Sequence, residues 1–500
     1  MSFTTSRRSF LYGAGALAAC ATPLAIAAAS VSSGIFQADA RLLAYAYRTL
    51  HPGLLRYAGA AEWEARFDAL DATLSRPQTL AGAYLAFARI TAAVRCGHSY
   101  PNFYNQSDAI RTALFSRRDK LPFLFRWIGE RMIVTRDLSA AGLSPGTEIH
   151  TIEGTDVRLL LRSLMPLARA DGHNDAKRRQ ILAVNAVDRF QAFDIYLPMQ
   201  WPTLLARGRV RILATDPGGV SRRLEMPLMV PAEREAALPS VHQKPKDAIL
   251  WSIEHKPGAI ACLSMPSWSV YNSSWDWRAW LEAQLDTIAS DGTRALIIDL
   301  RGNEGGLDCG NAILARLVDR DVALVGSARR VRAPRVPDDL RPHVDTWDTS
   351  IYDWGDRATG PRPDGLFDLI ERAGDANGAM TIKPAGKRFR GKLIVLTDAS
   401  NSSATFGFVQ HLKINGLATI VGETTGGNRR GINGGAFLFL RLPTSGIEVD
   451  IPLIGYFPPN VQPDAGILPD LRVKDSPADI ASEFDRTMAV ALRAAQVAVG

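Results

Sequence analysis

The stretch Leu393-Ile394-Val395-Leu396-Thr397-Asp398-Ala399-Ser400-Asn401-Ser402-Ser403-Ala404-Thr405-Phe406 decides how this chain is read. An unbroken apolar run that stops at a polar turn predicts a strand buried on both faces, as in a parallel sheet. The residues after it, to Asn415, predict a helix. A serine at that junction stands where free helix N–H groups and the helix dipole favour negative charge. An acyl-enzyme nucleophile and its oxyanion need that setting. Serine is also a preferred N-cap, so Ser400, Ser402 and Ser403 by themselves fit capping and turn roles equally well.

About a hundred residues upstream lies a second sharp segment, Ile297-Ile298-Asp299-Leu300-Arg301-Gly302-Asn303-Glu304-Gly305-Gly306. An apolar strand ends at Arg-Gly-Asn and opens into glycines, a turn that lets backbone N–H groups approach a ligand. Around these two segments the pattern alternates. Strands are expected at Ala259–Leu263, Ala295–Leu300, Lys392–Thr397 and Ala418–Val421, with helices at Trp275–Ser290, Asn311–Leu317 and Ser403–Asn415. Alternation of this kind predicts a layered α/β core. Toward the N-terminus, Arg41–Leu50, Ala60–Leu74 and Pro77–Val94 show helical spacing, the first broken by His51-Pro52-Gly53. Paired strands follow around Gly129. Gly142–Ile149, the Ile152-Glu153-Gly154 turn and a helix over Leu159–Ala168 come next, with closing strands at Val210–Ala214 and Leu224–Val230. Pro231–Asp247 reads as a linker and Ala478–Val497 as a helix.

Five hundred residues exceed one compact core, so two or three domains are expected. The formal net charge of +7 is spread without a basic block and gives no case for nucleic acid. The N-terminus carries Arg7-Arg8 and then an uncharged stretch from Ser9 to Ala38, with Ala27-Ala28-Ala29 offering a cleavage site. This reads as a twin-arginine export signal over residues 1–29 and implies a periplasmic or cell-envelope location. Membrane attachment would come only through lipidation of Cys20, in Leu17-Ala18-Ala19-Cys20, or through an uncleaved signal. Beyond the signal, Cys96, Cys262 and Cys309 show no CxxC, so neither a disulfide framework nor a metal site is expected. No Walker or dinucleotide motif is present, and no cofactor is expected.

Taken together, Asp299-Leu300-Arg301-Gly302-Asn303-Glu304-Gly305-Gly306, the serine-rich turn and Val421-Gly422-Glu423-Thr424-Thr425-Gly426-Gly427 resemble the tail-specific (C-terminal-processing) serine peptidases. The resemblance covers roughly residues 259–473. It implies a crotonase-like layered core at 244–480, behind a helical N-terminal region at 30–110, with a C-terminal helix at 481–500. Residues 111–235 resemble a PDZ-like domain, a module that binds a peptide C-terminus by strand addition. The implied substrate is a protein or peptide.

Carried over by motif, the nucleophile falls on Ser403, with Gly302, Gly305 and Ala404 as oxyanion donors. The Ser–Lys branch of the family carries lysine where this chain has Asn428, and no lysine lies between Lys413 and Lys474. Lys413 and His411 sit about 15 and about 12 Å along the helix from Ser403, too far to act on it. A Ser–Lys dyad is therefore not expected. Other branches pair serine with histidine and a carboxylate, which points to His98 in Arg95-Cys96-Gly97-His98-Ser99-Tyr100 as the base. The family's Gly-Ile-Glu-Pro-Asp element reads Gly466-Ile467-Leu468-Pro469-Asp470 here, which leaves Asp464 as the third member and Glu423 as runner-up. Arg429 and Arg430 could hold a substrate carboxylate or be solvated loop residues. The alternative function is a catalytically inactive relative that binds peptides in the periplasm.

Overall fold

The computed structural model describes residues 34–185, 188–238, 245, 247–323, 327–370 and 381–497. The expected export signal, with Cys20, lies outside the described residues.

Four strands expected from sequence lie side by side at the centre of the second half. The sheet order is Leu471–Arg472, Thr419–Gly422, Lys392–Thr397, Ala295–Asp299, Ile260–Ser264, Ser252–Lys256, all parallel except the last. Alternating side chains separate its two faces, as the strand period of two requires. From Ala295–Asp299, Leu296 and Ile298 pack with Leu281, Ile313, Phe408 and Val409 of three helices on one face. Ala295 and Ile297 pack with Ala491 and Ala495 of the last helix on the other. Apolar cover on both faces explains why these strands read as continuous hydrophobic runs.

Register brings the two diagnostic segments together. Leu396 pairs Asp299 and Thr397 pairs Gly422, so both strands end at one edge and their turns emerge side by side. The C-terminal helix expected as one piece is two, Pro477–Ala481 and Arg486–Val497, broken where Glu483 takes φ 53°. The expected linker begins as a short helix, Pro231–Ala237.

The first half forms an antiparallel sheet of Phe123–Ile128, Arg131–Asp137, Glu148–Ile152, Arg209–Thr215 and Ser221–Pro227, with Val157–Leu164 as a covering helix. A separate hairpin, Asn433–Arg441 with Glu448–Phe457, belongs to another sheet. Helices Gln37–Leu50 and Leu80–Ala93, the antiparallel sheet and this hairpin share one apolar core. Asp39 clamps the hairpin turn by accepting the Thr444 and Ser445 N–H groups at 2.9 and 2.8 Å. The packing carries the turn after Leu80–Ala93, which holds His98, onto the start of the hairpin. Asp450 N–H donates to the Tyr100 carbonyl at 3.1 Å.

Candidate active site

Ser403 opens the helix Ser403–Ile414 with φ 52°. The left-handed region costs a non-glycine residue on the order of 1–3 kcal/mol and persists only where the surroundings impose it. Here they do. Asn401, fully buried, donates to the Leu300 carbonyl at 2.6 Å and the Asn303 carbonyl at 3.1 Å. Asn303 Oδ1 in turn accepts Thr405 Oγ1–H at 2.8 Å. The serine turn is thus tied to the glycine turn at four residues. Of its three serines, Ser400 and Ser402 are buried, and Ser402 Oγ–H is spent on the Glu304 carbonyl at 3.1 Å. Ser403 alone is partly open to solvent.

The expected oxyanion donors separate. Gly302 N–H donates to Asp398 Oδ2 at 3.0 Å and Gly305 N–H to Asn303 Oδ1 at 2.9 Å, so both are already engaged. Their glycines shape the turn instead. A Cβ on Gly305 would come within 2.8 Å of Ser403 Cβ and 3.0 Å of Ala404 N. Ala404 N–H, in the first helical turn, meets no acceptor among the described residues, as is usual for the first N–H groups of a helix.

His98 is held by three bonds to the loop 169–172. Gly97 N–H donates to Asp171 Oδ1 at 2.8 Å, Arg169 donates to the Gly97 carbonyl at 2.6 Å, and Gly172 N–H donates to the Arg95 carbonyl at 2.9 Å. Phe437 lies 5.5 Å away between ring centroids. Burial holds the imidazole below its ordinary pKa, while the Asp171 carboxylate favours the proton. Arg169 then reaches Glu304 at 3.3 Å, and Glu304 offers its own carbonyl to Ser402. His98 and the serine turn are joined through this chain of contacts.

Two residues the sequence did not single out stand here. Asp171 is 2 % exposed, and its Oδ2 and His98 Nδ1 are both buried without a hydrogen-bond partner. Ligand atoms of the two residues lie within 4.8 Å. Asp171 comes from Asp171-Gly172-His173-Asn174, a turn with no visible motif, more than seventy residues after His98. Lys177 is the other. It is fully buried and ion-pairs with Glu304, and its Nζ donates to the Ser400 carbonyl at 2.9 Å and lies 3.5 Å from Ser402 Oγ. It comes from the helix Asp175–Ile181, more than two hundred residues before the serine turn, so no local motif around Ser403 signals it. Burial would raise the Glu304 carboxyl, but Lys177 and Arg169 outweigh it and hold it down to about 2.

The other expected site residues lie apart from His98. Asp464 Oδ2 accepts His173 Nδ1–H at 2.5 Å, and its Oδ1 accepts from Asn428 at 2.7 Å. Asn428 also donates to the Asp171 carbonyl at 3.3 Å, so Asp464 braces the loop that carries Asp171. Glu423 lies 3.9 Å from Arg126, and burial raises its carboxyl. Arg429 donates to Gln462 at 2.9 Å, and Arg430 lies 4.0 Å from Asp464 and over the Tyr57 ring.

Residues 259–473 match the family model of peptidase family S41. No curated protein matches the sequence. Among solved structures, mature CPAF complexed with lactacystin is 15 % identical over 93 % of this chain and 98 % of that one, with a TM-score of 0.60. A CPAF mutant is 14 % identical over 93 % and 97 %, with a TM-score of 0.63. The photosystem II D1 C-terminal processing protease is 16 % identical over 89 % and 94 %, with a TM-score of 0.41. At such identities the CPAF likeness speaks for a shared fold. Residues 259–473 thus carry the sequence of a serine-type peptidase of family S41.

Proposed function

We propose that this protein is exported to the periplasm or cell envelope and cleaves peptide bonds through an acyl-enzyme on Ser403, with His98 as general base. The observation that carries the reading is the left-handed backbone of Ser403 at the mouth of a helix. Strain at one solvent-accessible serine, imposed by buried asparagines on both turns, is what a presented nucleophile requires.

In the reaction Ser403 Oγ attacks the scissile carbonyl as His98 takes its proton, and the carbonyl oxygen becomes an oxyanion. The Ala404 N–H and the helix N-terminus stabilise that charge; one such donor is worth on the order of 10²–10³ in rate. His98 then passes the proton to the leaving amine, and the acyl-enzyme forms. Water, deprotonated by His98, attacks the ester and restores Ser403. Asp171 takes the orienting role expected of Asp464 by favouring the imidazolium. The core is read as crotonase-like. The 111–235 region is read as PDZ-like and would present a peptide C-terminus by strand addition.

The alternative, an inactive relative that binds peptides, draws on Asn428 in the lysine place and on Leu468, which is 61 % exposed. A fluorophosphonate probe separates the two. Labelling of wild type that is lost in Ser403→Ala is expected; an unlabelled wild-type protein would leave only the binding role.

A further inference from the structure

Three side chains of different ligand chemistry converge behind the His98 turn. One ligand atom each from Cys96, His98 and Asp171 (a thiol sulfur, a ring nitrogen, a carboxylate oxygen) lies within 4.8 Å of the other two. Cys96 is fully buried. His98 Nδ1 and Asp171 Oδ2 are shielded from solvent and unpartnered, and so is Asn433 Oδ1. The Asn433 side chain hydrogen-bonds Cys96, and its backbone carbonyl faces the His98 ring. Each unsatisfied buried polar atom costs about 1–3 kcal/mol. Three of them around one thiol point to a shared partner that accepts sulfur, nitrogen and oxygen. Zinc does so, at about 2.3 Å for sulfur and about 2.0–2.2 Å for nitrogen and oxygen. The hydrogen bond from Gly97 N–H already fixes Asp171, which lowers the ordering cost.

We propose that Cys96, His98 and Asp171, with Asn433 beside them, bind one Zn²⁺ ion and that this ion switches the peptidase off. On binding, the thiol proton passes to solvent and the single imidazole proton moves from Nδ1 to Nε2. With Nδ1 on the metal, the neutral imidazole carries that proton on Nε2 and cannot accept one from Ser403. Arg56, which interacts electrostatically with Cys96 and Asp171, favours the thiolate while opposing the added cation. Arg169 acts on His98 in the same opposing sense. Inhibition rests on His98 being the base; metal binding does not.

Equilibrium dialysis of the full chain against Zn²⁺ tests the site. One zinc per chain is expected, with affinity at least about 10-fold weaker in Cys96→Ala and in Asp171→Asn. Co²⁺ in place of zinc should give a thiolate-to-metal absorption band that Cys96→Ala abolishes. Thermal unfolding of each variant checks that it folds, and Asp171→Asn decides if Cys96→Ala does not. Peptide hydrolysis should fall in proportion to zinc occupancy and return with a chelator. Failure to take up zinc, unchanged affinity in both variants, or full hydrolysis at saturating zinc each overturns the proposal. Ser403→Ala should bind zinc as wild type does. Zinc binding without serine-dependent hydrolysis would therefore sink the peptidase reading and leave the metal site standing.

Discussion

Asp464 holds His173, not His98: its Oδ2 accepts the His173 Nδ1–H at 2.5 Å and its Oδ1 accepts the His173 backbone N–H at 3.0 Å. Burial would raise this carboxyl, but those bonds and Asn428 lower it, so it stays an anion that braces the 171–173 turn. Asp171 is the carboxylate beside His98. Asp171→Asn is expected to lower kcat by roughly 10²–10⁴-fold, the loss typical when the orienting acid of a histidine base is removed. Asp464→Asn, acting one bond further out, should cost less than about tenfold and lower Tm by a few degrees. Steady-state hydrolysis of an unstructured peptide by both variants checks the order. A larger loss for Asp464→Asn would return the acid to the place the motif suggests.

Lys177 and Glu304 tie the first half of the chain to the serine turn. Lys177→Met would leave the Glu304 carboxylate with Arg169 alone and the Ser400 carbonyl without its donor. Breaking a buried ion pair costs about 3–5 kcal/mol. Glu304 keeps 42 % side-chain exposure, so about 2–3 kcal/mol is expected here. Arginine should not rescue, because its planar fork does not fit a site built for a point donor. Urea unfolding of Lys177→Met and Lys177→Arg measures both statements.

Most of the catalytic core was legible because its strands are buried on both faces. Leu393–Leu396 and Ile297–Ile298 write that burial as uninterrupted aliphatic runs, and the turns that follow them carry the motifs. Ser403 could be chosen from its spacing to Val421-Gly422-Glu423, and His98 from its Gly-flanked turn. Asp171 and Lys177 could not. Both come from a polar loop and a seven-residue helix whose only signal is tertiary, since long-range packing and not local pattern brings them to the site. The oxyanion donors were half legible. Gly305 stands in close approach to the serine turn, but the N–H groups of Gly302 and Gly305 serve the glycine turn itself.

Gly305 offers a direct test of that close approach. With φ 106° it lies where side chains are strained, and an added Cβ would stand 2.8 Å from Ser403 Cβ and 2.9 Å from the Ser402 carbonyl. Neither contact can relax without moving the serine turn. Gly305→Ala should therefore reduce fluorophosphonate labelling of Ser403 by more than about 10², since a shift of one ångström in reacting groups costs that much. Gly302→Ala, where nothing stands within 4 Å of the new Cβ, carries only the strain of φ 81° and should be the milder change. Equal loss in both would mean that backbone strain, not crowding of Ser403, sets the effect.

His51 gives the fold a pH dependence that can be signed. It caps the helix Gln37–Leu50, stacks on Tyr47 and pairs its Nε2 with Ser99 Oγ at 2.9 Å, while its Nδ1 accepts the Gly53 N–H. Burial, with Arg56 and Arg332 adding repulsion, lowers its pKa from 6.5 to about 3. The unfolded chain therefore binds a proton below about pH 6.5 that the folded chain refuses until about pH 3. Its contribution is full above pH 6.5 and is lost as pH falls through that window, by up to about 1.4 kcal/mol per unit. Urea unfolding at pH 7 and pH 5 should show about 2 kcal/mol of that loss in wild type. In His51→Gln, which keeps an amide for Ser99 but does not titrate, the difference should shrink by about the same amount. A pH dependence unchanged by the substitution would place the acid sensitivity elsewhere.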